Sequence, residues 1–210
     1  MVMKNFIYYL NLLFLLAFFN IAFCEQAYQK KIIFLGDSLT EGYGISKEDS
    51  FPSIIDREFK KQNLNIEIIN AGISGSTTST AESRLRWLIK TKSAYVFLAL
   101  GANDGLRGID LELIQKNLLN TINLAKENNI KIFLAGMQMP PNYGKEYSES
   151  FKNIFIEVAK ETNTPLLPFL LQDVAGVKDL NQGDGIHPNE EGHKIIARNV
   201  LKFLKENNLF

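Results

Sequence analysis

The chain has 210 residues, 46% of them apolar and 22% charged, with 23 basic residues against 23 acidic ones. That length and apolar fraction suit one well-cored domain, and the balanced charge, without Lys/Arg-rich runs, excludes nucleic acid as a partner. The sequence holds a single cysteine, so no disulfide within the chain supports the fold and the core has to.

The first 24 residues stand apart: Lys4 precedes an apolar run, Phe6 to Phe23, with no charged residue and only two asparagines. This is the layout of a secretory leader. Small residues Ala22 and Cys24 place the expected cleavage before Glu25, which leaves residues 25–210 as one domain with a periplasmic or secreted address. Two alternatives use the same residues. A run of about eighteen residues just spans a bilayer as an uncleaved anchor through residues 6–23. Cys24 would otherwise carry the lipid of a lipoprotein, although Phe23 is larger than the residue expected before such a cysteine.

Beyond the leader, short apolar runs alternate with amphipathic segments, the pattern of a parallel sheet flanked by helices. The predicted strands are Lys31–Leu35, Ile66–Asn70, Tyr95–Leu100, Lys131–Ala135 and Pro165–Phe169, strongly apolar as strands covered on both faces are. Helices are predicted over Phe51–Gln62, Thr77–Lys90, Leu111–Asn128, Tyr147–Glu161 and Glu190–Asn207. In the last, Ile195, Ile196, Val200, Phe203 and Leu204 recur at helical spacing and leave Lys194, Arg198, Lys202 and Lys205 for solvent, so this is a docking helix and not a basic site.

In an open parallel sheet, ligands bind where the loops leave the carboxyl ends of the strands. The chemistry-bearing residues fall there: Gly36-Asp37-Ser38 after the first strand, NAGISGSTTST (Asn70 to Thr80) after the second, GANDGLRG (Gly101 to Gly108) after the third, and GDGIHPNEEGH (Gly183 to His193) before the last helix. Each is weak alone, because Ser or Asp after a strand often only caps the next helix. Asp184 and His187 are three apart in a loop closed by Pro188, which biases His187 to an extended backbone. That spacing lets a carboxylate reach the imidazole Nδ1 and leaves Nε2 to face a serine. His193, inside the terminal helix pattern, reads as a surface or packing residue.

Ser38 is the leading serine, with Ser74 and Ser76 as competitors in the second loop. The G-x-S-x-G elbow is absent around Ser38 and Ser74, so a serine hydrolase here would have another architecture. Phosphate-cradling G-x-x-x-x-G-K-[ST] and G-x-G-x-x-G patterns are absent too. A metal-assisted hydrolase, with Asp37, Asp104, Asp184 and His187 converging on one divalent cation, is a rival, and so is a non-catalytic lipid- or glycan-binding module. Asp37 and Asp104 read more simply as loop braces through backbone hydrogen bonds.

Taken together, GDSL at 36–39, AGISGS, GANDG and DGIHP resemble the GDSL, or SGNH, hydrolase family over nearly the whole domain. GANDGLRG, MPPNYGKEY and DGIHPNEEGH are similar to its bacterial arylesterase, thioesterase and lysophospholipase branch. The resemblance implies a flavodoxin-like three-layer α/β/α sandwich with a five-stranded parallel sheet, and a serine esterase that needs no cofactor and no metal. It implies Ser38 as nucleophile, Asp184 and His187 as acid and base, and Ser38, Gly75 and Asn103 as the oxyanion hole. Where that branch often has Asp after the glycine, this chain has Ser76. The segment GMQMPPNYGKEYSESF offers Met137, Met139 and Tyr143 as an adaptable apolar wall, against which the resemblance suggests acyl chains or aryl groups pack. The expected partner is a small-molecule ester or lipid, with membrane contact only through that substrate or an uncleaved anchor. A carbohydrate O-acetyl esterase is the nearest alternative.

Overall fold

The apolar runs pair as one all-parallel sheet in the computed structural model, which describes residues 30–210. The expected leader, its anchor alternative and Cys24 lie outside these residues. The strands are β1 (Lys30–Gly36), β2 (Ile66–Gly72), β3 (Tyr95–Ala99), β4 (Lys131–Ala135) and β5 (Leu166–Leu167). The helices are α1 (Ser38–Glu41), α2 (Phe51–Lys61), α3 (Ala81–Leu88), α4 (Ala102–Leu106), α5 (Leu111–Glu127), α6 (Lys145–Glu161) and α7 (Glu190–Glu206).

The sheet order β2-β1-β3-β4-β5 is that of a flavodoxin-like sandwich. Helix α2 packs with α7, and α3 and α6 pack with α5, giving helical layers around the central sheet. Ile32, Ile33, Phe34 and Leu35 of β1 are wholly buried, because a central parallel strand is covered on both faces. Their aromatic neighbours continue the core through Phe97 and Phe203, the Phe34 and Phe97 rings lying 5.1 Å apart. Capping fixes where the long helices start: Asp110 accepts from Leu113 N at 3.0 Å before α5, and Asn189 from Gly192 N at 3.1 Å before α7. No helix among the described residues is long and apolar enough to cross a membrane.

Two expectations are corrected, and two short helices join those predicted. The fifth strand keeps only Leu166 and Leu167, because the prolines at 165 and 168 supply no N–H to a ladder. The helix expected over Thr77–Lys90 is α-helical only over Ala81–Leu88, with tighter helical turns at Thr78–Thr80 and Ile89–Thr91. Helices α1 and α4, of four and five residues, escape any periodicity argument because neither completes two turns.

Because the strand order reverses direction between β1 and β3, the loops leaving these two strands diverge and open a crevice at the carboxyl edge. Ser38 stands at the end of one and Asn103 at the end of the other.

Candidate active site

The chain leaves β1 through Gly36, where no side chain is admissible: a Cβ would lie 1.9 Å from Thr40 Oγ1. Asp37 then caps α1, its carboxylate accepting from Leu39 N at 3.0 Å, and Ser38 becomes the first helical residue. The serine is nearly buried, at 9% exposure. Behind it, the guanidinium of Arg84 donates to Gly36 O at 3.1 Å and also to Ala71 O, joining the ends of β1 and β2.

His187 comes from the loop before α7. Its Nε2 lies 3.0 Å from Ser38 Oγ and its Nδ1 2.7 Å from Asp184 Oδ2. The other oxygen of Asp184 accepts from Ile186 N at 2.9 Å and His187 N at 3.0 Å. The backbone and ring hydrogen bonds of His187, then that of Ile186, hold the Asp184 carboxyl down at about 2. The acid is therefore ionised at any ordinary pH, and an ionised partner keeps the proton of a neutral imidazole on Nδ1. Nε2 is left as the acceptor facing Ser38.

The second loop makes a tight turn in which Ser76 N donates to Ile73 O at 3.1 Å. Gly75, with φ +76°, stands in the left-handed region that glycine enters without strain. Asn103, in the first turn of α4, donates through Nδ2 to Ser76 O at 3.1 Å, so the third loop is tied to the second. Its amide also lies 3.5 Å from Asp37 Oδ2. The competing serines are placed otherwise. Ser74 Oγ donates to Glu41 Oε2 and Ser76 supplies backbone bonds to the turn, while Ser38 alone of the three meets His187.

Asp37 and Asp104 are both wholly buried and face protein donors. Asp104 accepts from Thr78 N at 2.9 Å and from Thr78 Oγ1 at 2.6 Å, and Asn117 Nδ2 supports that hydroxyl at 3.1 Å. Burial raises the pKa of both acids, that of Asp37 to about 6. Among the described residues no group of three or more His, Cys, Asp or Glu is gathered for a metal ion.

Residues 34–195, which span all of these loops, match the GDSL-like lipase/acylhydrolase family model. The chain belongs to that family. An arylesterase of Vibrio mimicus is 36% identical over 93% of this chain and 98% of its own length. The thioesterase 1/protease 1/lysophospholipase L1 of Escherichia coli K12 is 34% identical over 83% of each. Among solved structures, the psychrotrophic esterase EstA from Pseudoalteromonas sp., inhibited by monoethylphosphonate, superposes with a TM-score of 0.82 at 34% identity, covering 85% of this chain and 100% of that one. As a GDSL hydrolase the protein is an esterase.

Other parts of this GDSL hydrolase differ from expectation or went unread. The wall expected from Met137, Met139 and Tyr143 is mostly not open surface. Met137 is 2% and Met139 8% exposed, both in the core, because α6 closes over the loop after β4. Met139 keeps an edge on an open cavity of about 320 Å³ lined also by Gln138, Lys145, Ser148, Glu149 and Lys152, and by none of Ser38, Gly75, Asn103, Asp184 or His187. Tyr143 stays exposed, its hydroxyl donating to Leu106 O at 3.3 Å.

Tyr43 was not singled out in the sequence, yet its ring lies 4.8 Å from that of His187. Gln182 links the two sides of the site: its Nε2 donates to Tyr43 O at 2.7 Å and Pro188 O at 3.0 Å, and its N–H to His187 O at 2.8 Å. The only signals for these two were adjacency to GDSL and to GDGIHP. His193, six positions from His187, is 1% exposed and accepts from Phe51 N through Nδ1 at 3.1 Å.

Proposed function

We propose that this esterase works through a Ser38–His187–Asp184 triad on carboxylic esters of acyl, aryl or lysophospholipid type. Ser38 Oγ attacks the carbonyl carbon while His187 Nε2 takes its proton, and Asp184 stabilises the imidazolium. The oxyanion of the tetrahedral intermediate is met by the N–H groups of Ser38 and Gly75 and the Asn103 amide, each such donor being worth about 3 kcal/mol. Collapse breaks the carbonyl carbon–oxygen bond to the alcohol, which leaves with the proton from His187, and Ser38 keeps the acyl group. Water then attacks this ester with His187 again as base, releasing the acid and regenerating Ser38. A thioester would follow the same steps with a thiol leaving.

The observation that carries this reading is the unbroken line from Asp184 Oδ2 through both ring nitrogens of His187 to Ser38 Oγ, at 2.7 and 3.0 Å. A binding module has no use for such a relay. The apolar rim supports acyl or aryl esters over O-acetyl sugars: Tyr43, Ile73 and Ile186, in the loops that bear the site, are about half exposed. The leader-like sequence before Glu25 supports an address outside the cytoplasmic membrane.

A fluorophosphonate should label Ser38, located by mass spectrometry of the digested adduct. Ser38→Ala should stay folded and lose at least about a thousandfold in kcat on a short-chain nitrophenyl ester. An adduct at Ser74 or Ser76, or normal turnover in Ser38→Ala, would overturn the assignment.

A further inference from the structure

The Gly75 N–H belongs to the Ser74–Gly75 peptide, which is the middle of the Ile73–Ser76 turn. Ser76 N bonds to Ile73 O, Gly75 has φ +76°, and Ser74 does not enter the left-handed region. That combination is a type II turn. In a type I turn over the same four residues the central peptide is flipped, and its N–H points to the other face. Glycine tolerates both signs of φ, so residue 75 does not choose between them. Where the turn, and the Gly75 N–H with it, stands relative to Ser38 then depends on what holds Ser74.

Glu41 holds it. One carboxylate oxygen, Oε2, accepts from Ser74 N at 2.8 Å and from Ser74 Oγ as well. Both are charge-assisted bonds, the stronger kind. Glu41 is also the last residue of α1, whose first residue is Ser38. The helix is seated against the end of β2: Asn70 Nδ2 donates to Thr40 O at 2.9 Å, and Gly72 approaches so closely that a Cβ there would lie 2.2 Å from Glu41 N. One turn of helix thus carries the serine at one end and the anchor of the glycine turn at the other.

We propose that Glu41 is a positioning residue for ester hydrolysis, holding the Ser74 end of the turn so that the Gly75 N–H stays in register with Ser38 and faces the oxyanion. The inference rests on the roles given above to Ser38 and Gly75. Misdirecting one donor acts on the transition state, where the oxyanion exists, and leaves ground-state binding of the ester nearly alone.

The test is steady-state kinetics of Glu41→Ala, Glu41→Gln and Ser74→Ala on a neutral nitrophenyl ester. Glu41→Ala should lose about tenfold to a hundredfold in kcat, the cost of a misplaced group, with KM within about twofold. Glu41→Gln keeps an oxygen that can accept from Ser74 N and should recover most of the loss. Ser74→Ala gives up only the hydroxyl bond, so its kcat should fall a few-fold. A kcat within about twofold of wild type in Glu41→Ala would sink the idea. So would a raised KM with kcat intact, which marks a substrate contact, or equal losses in the Gln and Ala variants. Should Glu41→Ala not fold, a wild-type kcat in Ser74→Ala overturns the positioning role just as well. Ser38→Ala, assayed alongside, separates the two readings. If it is inactive while Glu41→Ala is normal, only the positioning role fails. If it is active, the proposed triad fails whatever Glu41 does.

Discussion

The two sides of the site are built differently. The serine side is a wall: Asp37, Ser38 and Thr40 are all buried, and β1, β2, α1 and Arg84 brace one another there. The histidine side is a loop over Gln182–Pro188, with the side chains of His187 and Asp184 21% and 41% exposed. Its hold on the wall is narrow, consisting chiefly of Gln182 Nε2 on Tyr43 O, the Tyr43 ring beside His187 and the His187–Ser38 bond itself. In the proposed triad the nucleophile needs a fixed position relative to the oxyanion donors, whereas the base has to pivot between serine, leaving group and water. Rigidity on one side and light tethering on the other suit those two tasks.

The harshest way to break the loop side is Asp184→Asn. The Asn oxygen can still accept from Ile186 N and His187 N, so the loop stays closed. Its NH₂ then faces Nδ1 and forces the imidazole proton onto Nε2, where it cannot accept from Ser38. The kcat should fall by about a thousandfold or more, with melting changed by only a degree or two because the side chain is largely solvated. Turnover within about tenfold of wild type would reduce Asp184 to a loop anchor.

A milder change sharpens the comparison. Gln182→Ala removes the donor to Tyr43 O and Pro188 O, and Asn70→Ala removes the donor to Thr40 O together with the acceptor for Gly72 N. Each loses two hydrogen bonds, about 1 kcal/mol apiece. On the loop side the lost tether should reach catalysis, with kcat down about tenfold. On the wall other braces remain, so Asn70→Ala should lower the melting temperature by about 5 °C with kcat nearly intact. Equal kcat losses in the two variants would show that the sides are coupled as one unit.

How the sequence could be read follows the same division. The strands, the long helices and the loop motifs were legible because each is a local pattern: an apolar run, a helical period, Asp and His three apart. What joins distant segments was not. Glu41 on Ser74 and Gln182 on Tyr43 are contacts between blocks far apart in sequence, and nothing local distinguishes these side chains from ordinary surface residues. Met137 and Met139 failed for a related reason. A flexible apolar side chain after a strand can line a ligand groove or close the core under the next helix, and only the seat of α6 decides. The role of Asp37 as a brace through backbone hydrogen bonds was legible from its place at a strand end; the short helix it caps and its complete burial were not.

The smallest expected effect is in the pH dependence of stability, and it sets a group of the wall against one behind the loop. Burial holds His193 down at about 4, below the ordinary value near 6.5. Between those values the unfolded chain binds a proton that the folded chain refuses, so His193 costs stability as pH falls. Burial raises Asp37 to about 6 from 3.8, and over the intervening range the folded chain binds a proton that the unfolded chain has lost. Asp37 therefore adds stability as pH falls, and Asp104, also raised by burial, acts in the same direction. Asp184, at about 2, is ionised in both states above pH 5 and contributes no slope there. From pH 7 to pH 5 the His193 and Asp37 contributions are each about 1–2 kcal/mol and opposite in sign, so in the wild type they largely offset. Asp37→Asn should unmask the histidine, and its melting temperature should fall, relative to wild type, by about 4 °C over that range. His193→Gln, which keeps an acceptor for Phe51 N, should shift by a similar amount in the other direction. Parallel melting curves for the three proteins between pH 5 and pH 7 would show that neither group is held away from its ordinary titration.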